Sequence, residues 1–156
     1  MERPSLANPE RQGEIARRIQ ALRLDSPRQW GRMSSHQALC HLADALRSFL
    51  GDISAPARAD TWFGRQVIRR LALHLPLQWP HGVQTVKGFD QVAGDGTPPA
   101  DFEVDRAALL ALHERFAAIS GLPPVSVHPI FGPLTHEEWM VWAYLHADHH
   151  LRQFGV

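Results

Sequence analysis

Thr135-His136-Glu137-Glu138-Trp139-Met140-Val141-Trp142-Ala143-Tyr144-Leu145-His146-Ala147-Asp148-His149-His150 decides how this chain is read. Thr135 followed three positions on by Glu138 is a capping box, in which two side chains satisfy backbone donors at a helix start. A helix opening there turns by about 100° per residue. With Trp139 at zero, His146 falls near about −20°, His150 near about +20° and Ala143 near about +40°. Both histidines therefore continue the inward stripe begun by Trp139. Residues at i and i+4 have Cβ atoms roughly 5–6 Å apart. Two imidazoles at that spacing can close on one metal ion at bond lengths of about 2.0–2.1 Å. A buried polar nitrogen without a partner costs roughly 1–3 kcal/mol, so an ion or a backbone carbonyl has to supply one. His149, near about −80°, sits on the flank, where a rim position or a proton-shuttling role is expected.

A third ligand has to come from another helix. Ser34-Ser35-His36-Gln37 opens a second helix with its own capping box. Leu39, Leu42, Ala43, Leu46 and Leu50 form its apolar stripe, and Gly51-Asp52 ends it. His41 lies about 200° from Leu39, on the side of Ala38 and Ala45, where small residues allow another helix to come close. His36 lies about 60° from Leu39 and is the rival ligand; spacing does not choose between them.

The remaining segments extend the helical pattern. Pro9 to about Leu24 reads as a first helix with Ile15, Ile19 and Leu22 on one face. Pro27 suits the first turn of a short helical piece containing Trp30. A third helix is expected from Ala59 to His74, with Trp62, Phe63, Val67, Ile68 and Leu71 inward, stopped by Leu75-Pro76. From Pro76 to Glu103 prolines and glycines interrupt any period, which is long for a loop. Within it Val83-Gln84-Thr85-Val86 is expected as a short strand or an extended cover, and the whole segment as a surface excursion or a lid. Asp105 begins a further helix with Leu109, Leu112 and Phe116 or Ala117 apolar, and Gly121 is placed for its C-cap. The expected fold class is all-α: four principal helices plus a shorter N-terminal piece, in one domain spanning residues 1–156.

Composition narrows the function. The 156 residues are 44% apolar and 21% charged, with 16 basic against 16 acidic side chains, an ordinary globular balance. Zero formal charge gives no broad electrostatic case for nucleic acid or an anionic membrane, and clusters such as Arg17-Arg18 and Arg65, Arg69 and Arg70 are expected to be solvated faces. No apolar run approaches the ~18 residues of a membrane span, and Met1-Glu2-Arg3-Pro4-Ser5 lacks a signal-peptide core. A cytoplasmic location is the default expectation. The single cysteine, Cys40, leaves no disulfide framework and no thiolate zinc cluster, and its apolar setting predicts a small buried filler. Five of the ten histidines lie from His128 onward. His136-Glu137-Glu138 is not the zinc-protease pattern, because Met140 stands where a histidine would be needed. His113, beside Glu114 and Arg115, is expected to be exposed. Gly94-Asp95-Gly96-Thr97 lacks the lysine of a phosphate-binding loop.

Several of these motifs occur together in a known superfamily. Trp30-Gly31-Arg32-Met33, His36 through Asp44, His128-Pro129-Ile130-Phe131-Gly132, Glu137-Glu138-Trp139 and the ending His146 through Phe154 resemble the DinB-like superfamily, in a branch catalogued as a domain of unknown function. The resemblance covers nearly the full length. It implies a four-helix bundle of DinB-like type with a long loop between the third and fourth core-region helices. It also implies an open tri-histidine site made by His41, His146 and His150, holding a divalent ion, zinc or nickel before others. Relatives include thiol-dependent transferases and a maleylpyruvate isomerase, so a small-molecule substrate and a low-molecular-weight thiol are the implied partners. His149 would shuttle protons, and Asp44, three residues beyond His41, would orient the ligands from outside. The competing expectation is a helical metal-binding or structural module without turnover, acting as a homodimer through exposed helix faces.

Overall fold

The computed structural model describes residues 3–83 and 85–156; Met1, Glu2 and Gln84 lie outside the described residues, and with Gln84 the middle of the expected Val83–Val86 strand. Among the described residues are five α-helices and one small antiparallel sheet. The helices are α1 (Pro9–Ala21), α2 (Ser35–Leu50), α3 (Arg69–Leu73), α4 (Phe102–Ala117) and α5 (His136–Arg152). The sheet pairs β1 (Val127–His128) with β2 (Gly132–Pro133), placing His128 opposite Gly132. The chain is thus mostly helical, as the periodicity predicts. Among the four longer helices, α2 packs against α4 and α5, and α1 against α4 and α5; α5 also meets α3.

Local chemistry explains where the elements start and stop. Asn8, Ser34, Asp101 and Thr135 each accept a hydrogen bond from a backbone N–H in the first turn that follows. The boxes at Ser34–Gln37 and Thr135–Glu138 are complete on both sides. Gly51 closes α2 with φ 81°, a left-handed geometry that a side chain would strain. At α4 the boundaries differ from expectation. Asp101, not Asp105, caps its start, and Ala118, not Gly121, follows its last turn. Asp105 has another task, described below.

Trp139, Met140, Phe49, Phe116, Leu39, Leu109, Ile15 and Ile19 form the centre of the core. Helix α2 is buried on nearly every face, which explains how both its leucine stripe and His41, on the far side, can point inward.

Two segments depart from the helical expectation. The piece around Pro27–Trp30 forms no helix. Its backbone is drawn instead to the C-terminus: Gln29 N–H donates to the Gln153 carbonyl at 2.7 Å, and the Trp30 carbonyl accepts from the Gln153 amide at 2.9 Å. The expected Ala59–His74 helix is shorter, and before α3 it passes through a π-helical turn at Gly64–Ile68. The extra residue in that turn rotates the face presented to the protein. Gly64 and Leu73 are buried, whereas Trp62, Phe63, Ile68 and Leu71, expected inside, are exposed. The cause is tertiary. A Cβ on Gly64 would sit 2.7 Å from the Ile130 carbonyl oxygen, so only glycine allows this approach. Arg69 forms a bidentate ion pair with the buried Glu138, and His74 Nε2 lies 2.9 Å from the same carboxylate. Burial would raise the Glu138 pKa, but Arg69, the Thr135 N–H and His74 hold it down to about 2. Arg69 is therefore a structural anchor and not a solvated charge. Arg18 is another, pairing with Asp148 at 2.8 Å and donating to the Val156 carbonyl.

Candidate metal centre

His146 and His150 leave α5 one turn apart and meet His41 of α2 inside the protein. Their ligand-type nitrogens all lie within 4.8 Å of one another. The ring centroids are 5.0 Å apart for His41 and His146, 4.6 Å for His41 and His150, and 5.0 Å for His146 and His150. All three pairs are steeply inclined, so the rings stand edge to face around a common point instead of stacking. His41 Nε2 and His146 Nε2 are 3.1 Å apart. Two nitrogens bound to one tetrahedral ion at about 2.0–2.1 Å would be separated by about 3.3 Å. The observed spacing is close to that.

The protons on two of these rings follow from their neighbours. His41 Nδ1 faces the Phe89 carbonyl at 3.1 Å. A carbonyl only accepts, so Nδ1 carries the hydrogen and Nε2 keeps its lone pair. Gln153 does the same for His150. Its amide nitrogen is fixed by the Trp30 carbonyl, which turns its oxygen toward His150 Nδ1 at 3.2 Å. His150 Nε2 therefore also keeps a lone pair. Burial pushes the pKa of all three rings down, and for His146 and His150 the neighbouring imidazoles push the same way. Neutral imidazoles with outward-tied Nδ1 atoms are the form that binds a divalent ion.

The long loop after α3 takes part in the site. Besides the Phe89 carbonyl, it brings Trp79 to 6.4 Å from His146 and 6.1 Å from His149, and it stacks His81 on Trp30 at 3.9 Å. No strand forms among its described residues 83, 85 and 86. The loop is held by Asp44. That buried carboxylate accepts from the Thr97 N–H and hydroxyl, each at 2.7 Å, and from Gln91 at 3.4 Å. Gly96 comes so close that a Cβ there would lie 2.3 Å from Gln91 Nε2. Asp44 thus orients no histidine directly. The group hydrogen-bonded to His41 is the Phe89 carbonyl; Asp44 fixes the segment that carries it and otherwise acts on His41 through its charge alone.

His149 lies on the rim, among Trp30, Trp79 and His81. Burial, with Arg152 and His81 adding to it, lowers its pKa to about 4, and its buried Nδ1 has no partner among the described residues. On the other side Trp142 stacks on His146 at 5.0 Å.

The other histidines are accounted for separately. His36, the rival third ligand, pairs with Asp105 at 2.7 Å and stands apart from the triad. His113 is buried, contrary to expectation, with Nε2 unpartnered; burial alone lowers its pKa to about 4. His128 accepts at Nδ1 from the Ile130 and Phe131 N–H groups and stacks on Phe131, which shapes the β1–β2 turn. Burial drives the Cys40 thiol up to about 12, with Asp105 and Asp44 reinforcing it, in keeping with an inert filler in the absence of a cation.

Residue spacing did not flag Gln153 or the Phe89 carbonyl. Gln153 had a faint signal, as a polar residue three positions after His150. The Phe89 carbonyl had none, because any residue offers one.

No helix of the described residues is long and apolar enough to cross a membrane. Comparison with curated proteins and with solved structures gives no match. A family model spans almost the whole chain, residues 2–155, and the chain belongs to that family, described as protein of unknown function (DUF1569).

Proposed function

We propose that the chain is a DinB-like four-helix bundle that binds a divalent metal ion, zinc or nickel, through His41, His146 and His150, and uses it as a transferase or hydrolase on a small electrophile. One observation carries this reading: the Nδ1 atoms of His41 and His150 are tied to acceptors outside the cluster, so the lone pairs left over converge with His146 on one point. A shared ion accounts for one buried and two partly buried neutral imidazoles brought together in this way. Hydrogen bonds to carbonyls would have satisfied them singly at less desolvation cost.

Three neutral ligands leave the charge of a bound ion uncompensated, which favours ionising a water or a thiol at its remaining positions. The protein's own contribution is to hold the His41 and His150 rings at fixed tautomers through Phe89 and Gln153, and to gather Trp30, Trp79 and His81 around His149 beside the site. His149 stands beside the site as a neutral imidazole whose buried Nδ1 has no partner among the described residues, and is the group we assign to relay a proton between the site and the rim. A low-molecular-weight thiol is the proposed co-substrate; water is the alternative nucleophile.

Elemental analysis of protein prepared without a histidine tag tests the first part, with at least one bound transition metal per chain expected and one equivalent assigned to this site. His146→Ala should remove that metal while leaving thermal stability nearly unchanged. Loss of folding together with metal would instead mark the ion as structural, and full metal retention would sink the site. Turnover of electrophilic substrates with and without added thiol separates transferase from hydrolase.

A further inference from the structure

A second group of three donors lies on the opposite side of α2. His36 and Cys40 are one turn apart on that helix, and Asp105 faces them from α4. His36 Nε2, Cys40 Sγ and a carboxylate oxygen of Asp105 lie within 4.8 Å of one another. The construction repeats that of the triad: two ligands at i and i+4 on one helix, the third from a neighbour. We infer that these residues form a second, separate metal site, selective for a borderline transition ion such as zinc.

Four observations support this. The first is distance. Asp105 Oδ2 is 2.7 Å from His36 Nε2 and 3.8 Å from Cys40 Sγ, which brackets the ~3.3–3.5 Å between donors on a tetrahedral ion bound at about 2.0–2.3 Å. The second is crowding. The same oxygen also accepts from the Ala100 N–H at 3.1 Å, so the thiol is left a long, poor contact that a cation between the three would replace. The third is charge. A neutral imidazole, a carboxylate and a thiolate together carry two negative charges, which balance a divalent ion in a partly buried place. Binding breaks the S–H bond, forms an S–metal bond and releases that proton to solvent, while the hydrogen His36 donates from Nε2 to Asp105 is exchanged to Nδ1 so that Nε2 presents a lone pair to the ion. The fourth is access. His36 lines a cleft of about 640 Å³ between the end of α1 and the start of α4, whose walls include Asp101, Phe102, Glu103 and Arg106. The cleft reaches the cluster at His36, while Cys40 and Asp105 stand behind that ring and do not line it.

Cobalt titration of the metal-free, reduced protein tests the proposal, because the triad has no sulfur and Cys40 is the only cysteine. A near-ultraviolet thiolate-to-cobalt charge-transfer absorption is expected to develop, with two equivalents bound in total. Cys40→Ser should abolish that absorption and one equivalent. Asp105→Asn, whose amide oxygen can still accept from Ala100, should raise the cobalt concentration at half-saturation at least about tenfold. Circular dichroism establishes that each variant is folded. His146→Ala should leave the absorption intact and remove the other equivalent, so failure of the triad and failure of this site give different results. Absence of the absorption in the reduced parent protein overturns the proposal. So does an absorption whose midpoint is unmoved in both Asp105→Asn and His36→Gln, since hydrogen bonding alone would then account for the cluster.

Discussion

The two sides of α2 solve the same problem in opposite ways. On the α5 side, His41 meets only other imidazoles, and its outer nitrogen is held by a backbone carbonyl. On the α4 side, His36 meets a carboxylate that satisfies it directly. The first arrangement is neutral, and an ion bound there would stay strongly electrophilic. The second is already paired, and an ion bound there would be neutralised by its ligands. Ligand count is three in both; ligand charge is what separates a site fit for activating a substrate from one fit for holding an ion in place. His113 gives a third case, a buried imidazole whose Nε2 has no partner among the described residues.

The largest expected effect separates the two sides outright. His146→Ala should lower metal affinity of the triad by more than about 100-fold, beyond what loss of an outer hydrogen bond costs, while His36→Ala should leave it unchanged. Competition titration against a chelator measures both, and equal losses from the two variants would erase the distinction drawn here.

Next comes acid sensitivity at His113. Its pKa is about 4 folded and about 6.5 unfolded, so the unfolded chain takes up the proton first as pH falls. Stability from this residue is complete above about pH 6.5 and is lost progressively down to about pH 4, by up to roughly 3 kcal/mol. Denaturant midpoints across that range should fall less steeply in His113→Leu than in the parent protein. Parallel curves would mean the ring finds a partner when protonated.

Gln153→Leu sharpens the tautomer argument. It frees His150 Nδ1 and should weaken metal binding about 10–100-fold with all three ligands still present. An unchanged affinity would show that Gln153 fastens the Trp30 segment and does nothing for the histidine.

The smallest effect belongs to Asp44. Because it makes no hydrogen bond to His41 and chiefly holds the 88–97 segment, Asp44→Asn should cost about 1–3 kcal/mol of stability, yet change metal affinity by less than about tenfold. Thermal unfolding and the same chelator titration give the two numbers. An affinity loss matching that of Gln153→Leu would return Asp44 to a direct role.

The contrast between α5 and the 59–75 segment shows what sequence patterns carry. In α5 the capping box, the inward stripe from Trp139 and the one-turn spacing of His146 and His150 all depend on residues within four positions of each other. Local rules therefore read them correctly. In the 59–75 segment the same rules put Trp62, Phe63 and Leu71 inside, and they are outside. What turned that helix was the Ile130 carbonyl against Gly64 and Glu138 against Arg69, partners more than sixty residues away. The Pro27–Trp30 piece failed to become a helix for the same reason, since Gln153 holds its backbone.

By itself the sequence determined the helical class, the ends of α2 and the start of α5, and the pairing of His146 with His150, because each rests on helical period and capping between near neighbours. Only the tertiary structure decided between His41 and His36, which the angular argument left open. It also set the Phe89 carbonyl against His41 and Gln153 against His150, and placed His113 inside. Those outcomes depend on which helix face meets which, and a side chain's direction around one helix says nothing about what stands opposite it.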